Sequence, residues 1–236
     1  MLLDGKELGP IVVRRNPRAK HYNVRVIDGK IYATIPKRGT ESGIVSLIDS
    51  KRDRLREMLD KNQKRPVLNE ESHIKTYTFE LHIFRTCRSD TYISLKEGIL
   101  HIACPEETDF NDDQVQQKLW SIFTKALRVE AMRVLPPRLA TLASINGFQY
   151  SAVTVRNTKT RWGSCSSKKR ISLSSSLMLL PEHLIDYVLL HELCHTLEMN
   201  HSVRFRALIN KVTNGCADQL RKELKVIPAY TEMTFK

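Results

Sequence analysis

Two histidines four residues apart, with a glutamate directly after the first, constrain this chain more than any other feature: His191-Glu192-Leu193-Cys194-His195. Leu184, Ile185, Val188 and Leu189 precede the pair at helical spacing, and residues four apart on a helix share one face. The spacing predicts an apolar helix that offers both imidazoles to one metal ion, with Glu192 beside it. Neutral imidazoles bind zinc at ~2.0–2.1 Å and leave coordination positions open. A metal so held acidifies water and polarises a substrate oxygen, and a neighbouring carboxylate can take the proton and pass it to a leaving group. Zn2+ is therefore the expected cofactor, with Glu192 as catalytic base. A third ligand is needed, and His201 lies where a turn out of the helix can return it to the metal. Asn200, which tolerates positive φ, is expected to make that turn. Glu198 is the alternative ligand.

A second constellation runs from Arg156 to Arg170: six Lys and Arg, no acid, and the string Thr160-Arg161-Trp162-Gly163-Ser164-Cys165. Arg161 or Lys159 can stabilise an oxyanion or a phosphate. Tyr187 is a further candidate for the oxyanion. Trp162 is expected to pack beneath the site and Gly163 to make a tight turn. Cys165 and Cys194 read as packed thiols. His183 is expected to be exposed near a helix start, and His21, His73, His82 and His101 lack ligand partners nearby.

The five cysteines are odd in number, scattered and without a CxxC, so neither a disulfide framework nor a cysteine metal site is expected. The opening Met1-Leu2-Leu3-Asp4-Gly5-Lys6-Glu7 lacks the apolar stretch of a secretory signal. The longest apolar runs, such as Ser176–Pro181, fall far short of the ~18–20 residues of a membrane span. A cytoplasmic protein with no membrane partner is the expectation. The net charge of +12 is uneven: residues 1–65 carry +8, residues 66–150 carry −2 and residues 151–236 carry +6. A basic excess attracts polyanions without naming one, so the N-terminal region is a candidate for nucleic acid.

Alternation over residues 11–36, with Asp28-Gly29 between two runs, predicts a hairpin. Helical spacing follows over 41–62. Period two returns over 74–103 and reads as an antiparallel meander. Residues 112–146 read as a helix that Pro136-Pro137 breaks or kinks and Asn146-Gly147 stops. Strands are expected at 151–156 and 169–174, and helices at 182–198, 202–213 and 217–225. No internal repeat is visible. The expected organisation is a basic hairpin and helix over 1–65, the meander over 66–110 and a metal-binding region over 111–236, which together form an α+β chain.

The RWGSC string, Tyr187-Val188-Leu189-Leu190 leading into the histidine pair, Asn200-His201-Ser202 and Phe205 together resemble the YgjP-like metallopeptidase domain family. That family is related to the WLM and SprT-like zinc peptidases. The run Val13-Arg14-Arg15 to Arg18-Ala19-Lys20 and the close of the hairpin at Ile35-Pro36 resemble its opening. The resemblance implies zinc on His191, His195 and His201, with Glu192 as base. It also implies a zincin-like α+β core, in which an active-site helix lies beside a small sheet, preceded by a β-rich N-terminal region. Leu173-Ser174, Phe205-Arg206 and Ala217-Asp218 depart from the family pattern without touching a ligand. A metallopeptidase acting on polypeptide is the leading expectation. Hydrolysis of a nucleotide phosphoanhydride at the same metal, with the cations of the 156–170 loop, is the alternative, as is a DNA-associated protease.

Overall fold

The structure, a computed structural model, describes residues 2–27, 29–61, 66–158 and 161–227. Asp28, Lys159 and Thr160, singled out above, lie outside the described residues. The chain divides into two units, Met1–Pro66 and Val67–Lys236.

In the first unit the expected alternation forms strands. These are β1 (Leu2–Asp4), β2 (Pro10–Asn16), β3 (Asn23–Ile27) and β4 (Lys30–Pro36), in the order β1-β2-β4-β3. β2 runs parallel to β4, and β3 pairs with β4 as the hairpin. Successive strand side chains point to opposite faces, so Ile11, Val13, Ile31, Ala33 and Ile35 share one face and are buried. They pack against Ile44 and Ile48 of α1 (Glu41–Ser50) and Leu55 of α2 (Arg52–Lys61). The single helix expected over 41–62 is thus two. At Lys51 the backbone leaves helical geometry with φ −119°, and its N–H turns back to the Ile48 carbonyl at 3.1 Å.

The second unit opens with β5 (Ile74–Lys75), β6 (Glu80–Thr86), β7 (Tyr92–Lys96) and β8 (Ile99–Pro105), ordered β5-β6-β8-β7. This is not the simple antiparallel meander expected, because β6 pairs parallel with β8. The crossover puts β8, where Leu100, Ile102, Ala103 and Cys104 are all buried, at the centre of the sheet.

The two sheets are copies of one plan. Each has a short antiparallel edge strand, then strands of seven, five and seven residues in the same order, and each hairpin turns on a glycine at positive φ, Gly29 at 70° and Gly98 at 75°. Ile11 and Val13 correspond to Leu81 and Ile83, and Ile31 and Ala33 to Leu100 and Ile102. A repeat is therefore present where none was expected. What the copies share is an apolar alternation and a turn, and side-chain identity is too variable to reveal it.

α3 (Asp113–Asn146) follows. The Asp112 side chain caps it, accepting from the Gln114 and Val115 N–H groups at 2.7 and 3.0 Å, and Gly147 ends it at φ 70°. Pro136 and Pro137 do not break it. Leu127, Ala131, Leu135, Leu139 and Ala143 form one buried stripe on both sides of the prolines, and tertiary packing of such a face outweighs local propensity. Against α3 lie β9 (Ala152–Arg156), β10 (Gly163–Cys165) and β11 (Arg170–Ser174), in the order β10-β11-β9. Then come α4 (Glu182–Cys194), α5 (Val203–Val212) and α6 (Ala217–Val226). With six α-helices and three mixed sheets among the described residues, the fold is α+β. No helix among them is long and apolar enough to cross a membrane.

Arg138 of α3 clamps the start of α4. Its guanidinium donates to both Asp186 oxygens, to Glu182 Oε1 at 2.7 Å and to Tyr77 Oη at 3.0 Å. The hydrogen bond from Arg138 holds the Glu182 carboxyl below its usual range. Arg138→Met is expected to lower the unfolding free energy by about 2 kcal/mol, read from urea midpoints. Because the folded carboxyl is depressed, Glu182's contribution is complete above the unfolded carboxyl's ordinary range and is lost as pH falls through the folded value. The variant should lack that part of the acid-side loss.

Candidate metal centre

α4 is apolar almost all round: Leu184, Ile185, Val188, Leu189, Leu193 and Cys194 are all buried, as befits a helix inside a core. It ends earlier than the expected 198. His191 occupies its last turn and His195 its C-cap, still with αR backbone angles. The chain then turns through residues 196–202, and Glu198 N–H bonds back to the Cys194 carbonyl at 3.0 Å. Asn200 is not among the residues at positive φ, so the turn does without the left-handed residue expected there. Ser202 caps α5 by accepting from the Phe205 N–H at 3.2 Å.

This path brings His191, His195 and His201 together, with one ligand atom from each lying within 4.8 Å of the others. His195 Nε2 is 3.2 Å and His201 Nε2 is 3.1 Å from His191 Nε2. A tetrahedral ion ~2.05 Å from each nitrogen needs those nitrogens ~3.3 Å apart, so the two distances from His191 fit zinc. The Glu198 carboxylate is not part of this cluster. Its main-chain carbonyl lies 3.0 Å from His195 Nδ1. A carbonyl only accepts, so Nδ1 carries the hydrogen and Nε2 keeps the lone pair a metal needs. Burial, and then the neighbouring imidazoles, push His191 down to about 4, which keeps its ring neutral. Phe205 touches all three rings, its centroid 4.9, 4.5 and 4.8 Å from those of His191, His195 and His201.

Glu192 is 5% exposed, and its Oε2 is buried with no hydrogen-bond partner among the described residues. Burial pushes its carboxyl up to about 7, against the pull of Arg161. Gly163 is what admits this side chain. It is the first residue of β10, not a tight turn, and a Cβ there would lie 2.7 Å from Glu192 Cγ and Oε1. Glycine inside a strand marks such a close approach. Gly163→Ala is expected to displace the carboxylate and lower turnover by about 10²-fold, with metal content unchanged by elemental analysis.

A cleft of about 1090 Å3 opens over these groups, lined by Arg161, Trp162, Gly163, Tyr187, His191, Glu192, His201 and Phe205. Of the cations in the 156–170 loop, Arg161 alone among the described residues lines it. Arg156 and Arg170 line a separate hollow of about 580 Å3, with Arg161 between the two. The other cations facing the cleft, Arg206, Arg221 and Lys225, come from α5 and α6. Cys194 is buried and its thiol is pushed up to about 12 by burial; Cys165 is half-buried and raised for the same reason. His183 is exposed and pairs with Glu223 at 2.7 Å.

No curated protein matches the chain significantly. Two solved structures match it in part. The metallopeptidase zymogen of Pyrococcus abyssi abylysin is 28% identical over 39% of this chain and 95% of its own, with a TM-score of 0.35. The metallopeptidase zymogen of Methanocaldococcus jannaschii jannalysin is 22% identical over 39% and 97%, with a TM-score of 0.34. The profile of the YgjP-like metallopeptidase domain matches residues 20–226, the greater part of both units and all of the histidine cluster. With that match over most of its length, the chain is a member of the YgjP-like metallopeptidase family and an enzyme of the metallopeptidase class.

Proposed function

We propose that this protein is a zinc-dependent peptidase in which His191, His195 and His201 hold the metal and Glu192 is the general base. The observation that carries this reading is the convergence of three imidazole nitrogens next to a buried carboxylate oxygen without a partner. When bound, zinc supplies Lewis acidity and an open coordination position. Glu192 takes a proton from the attacking water and returns it to the leaving amine. Arg161 and Tyr187, both on the cleft wall, are our candidates for holding the developing oxyanion. β10 is an edge strand, paired on one side with β11. An extended polypeptide can add to its open edge through main-chain hydrogen bonds. Five free cysteines suit a reducing compartment, so the site of action is the cytoplasm.

The test is cleavage of unfolded polypeptides, with fragments read by mass spectrometry. Cleavage that a chelator abolishes and zinc restores is expected. Zinc-loaded protein that leaves a broad set of unfolded chains intact would overturn the reading. A second reading, hydrolysis of a nucleotide phosphoanhydride, is favoured by four cations on the cleft wall: Arg161, Arg206, Arg221 and Lys225. Phosphate release from a nucleoside triphosphate that disappears in His191→Ala supports this alternative.

A further inference from the structure

One face of the N-terminal sheet packs on α1 and α2. The opposite face presents Val12 and Arg14 from β2, Tyr32 and Thr34 from β4, Asn23 and Arg25 from β3, and at its edge the acidic Asp4 from β1. Tyr32 stands at its centre, half-buried. Its direct partners across the strands are Val12 on one side and Arg25 on the other, and the Arg14 guanidinium carbon lies 5.9 Å from its ring centroid. Arg14 and Arg25 are exposed, and no acidic side chain pairs with either among the described residues. Asp49 and Glu7 instead neutralise Arg52 and Arg56 of α2.

The second copy of the sheet serves as an internal control. Pro10–Pro36 holds six Lys and Arg against one acid, while Glu80–Pro105 holds three against three. Both fold to the same strand order, with Ile11, Val13, Ile31, Ala33 and Ile35 buried in one and Leu81, Ile83, Leu100, Ile102 and Cys104 in the other, so the fold does not require the charge. The differences fall on the open face as well: Arg14, Arg25 and Tyr32 stand where the other copy has Phe84, Ser94 and His101.

We propose that this face binds single-stranded nucleic acid. Arg14, Arg25, Lys30 and the loop cations Arg18 and Lys20 contact phosphates, and an unpaired base stacks on Tyr32. Cations around an aromatic ring on an open sheet form a stacking platform on which bases lie sequence-tolerantly. A duplex hides the base faces that such a ring needs, so the single strand is the favoured form. The proposal stands independently of the peptidase reading.

The test uses the full chain and labelled twelve-nucleotide oligo-dT and oligo-U in anisotropy titrations at several salt concentrations. Binding is expected to weaken with salt at a log–log slope of about −3.5, for five phosphates at ~0.7 each. Tyr32→Ala should weaken it about tenfold, and Tyr32→Phe, which keeps the ring, should not. Tyr32→Leu keeps an apolar side chain and should bind like Tyr32→Ala, which separates stacking from sheet packing. Arg14→Ala with Arg25→Ala should flatten the slope by about 1.4. Tighter binding of either oligomer supports the proposal and identifies ribose or deoxyribose as the source. Equal binding of a duplex of the same length, unchanged binding in Tyr32→Ala and Tyr32→Leu, or attachment to phosphatidylserine vesicles with no binding to either oligomer overturns it.

Discussion

Glu192→Gln is expected to lower kcat by about 10³-fold while leaving the metal in place, the range that loss of a positioned general base costs. The amide keeps the shape that fits against Gly163 but has no carboxylate oxygen to receive a proton. Because Glu192 is not one of the three converging imidazoles, zinc content per chain should match the parent protein by elemental analysis. A variant that loses metal and activity together would instead make Glu192 a ligand. One that keeps full turnover would remove it from the chemistry altogether.

His201→Ala should have the second largest effect, with a different signature. His201 is the proposed ligand carried by the loop after α4, and its ring is exposed. Its loss leaves two imidazoles, and zinc affinity should fall by at least about 10²-fold, since even indirect supports of a metal cost 10–100-fold. Thermal unfolding provides a second measurement. Zinc at a hundred times its Kd should stabilise the parent by about 2.7 kcal/mol, and at that concentration the variant should gain far less. Equal zinc-induced shifts in the two proteins would show that the third ligand lies elsewhere.

The three histidines were legible because their chemistry needs particular residue types at particular spacings, and helix geometry turns spacing into position. Gly29 of the first hairpin and the buried alternation of the strands were legible for the same reason. Long-range pairing was not. The parallel pairing of β6 with β8 depends on which strand best fills the centre of a sheet, and no local pattern states that. Pro136-Pro137 read as a break because local propensity argues for one, whereas five buried side chains along α3 carry the helix through. Gly163 read as a turn, although glycine in a strand signals close approach equally well, and only the position of Glu192 distinguishes the two. The Glu198 carbonyl supports His195 through a main-chain contact that no residue pattern announces, and Phe205 stood out through the family resemblance and not through any metal-ligand spacing.

The matched lengths of the two sheets bear on how the chain reaches its native state. Each hairpin, β3–β4 and β7–β8, is local and can close within microseconds, but the parallel partner of each must arrive from further away. Until it does, both hairpins present a vacancy of the same width and polarity to two seven-residue strands of similar alternation, β2 and β6. Exchange of these strands is a kinetic trap of the kind that multi-unit chains meet. Synthesis from the N-terminus offers a way out, because β2 can dock on β4 before β6 has left the ribosome.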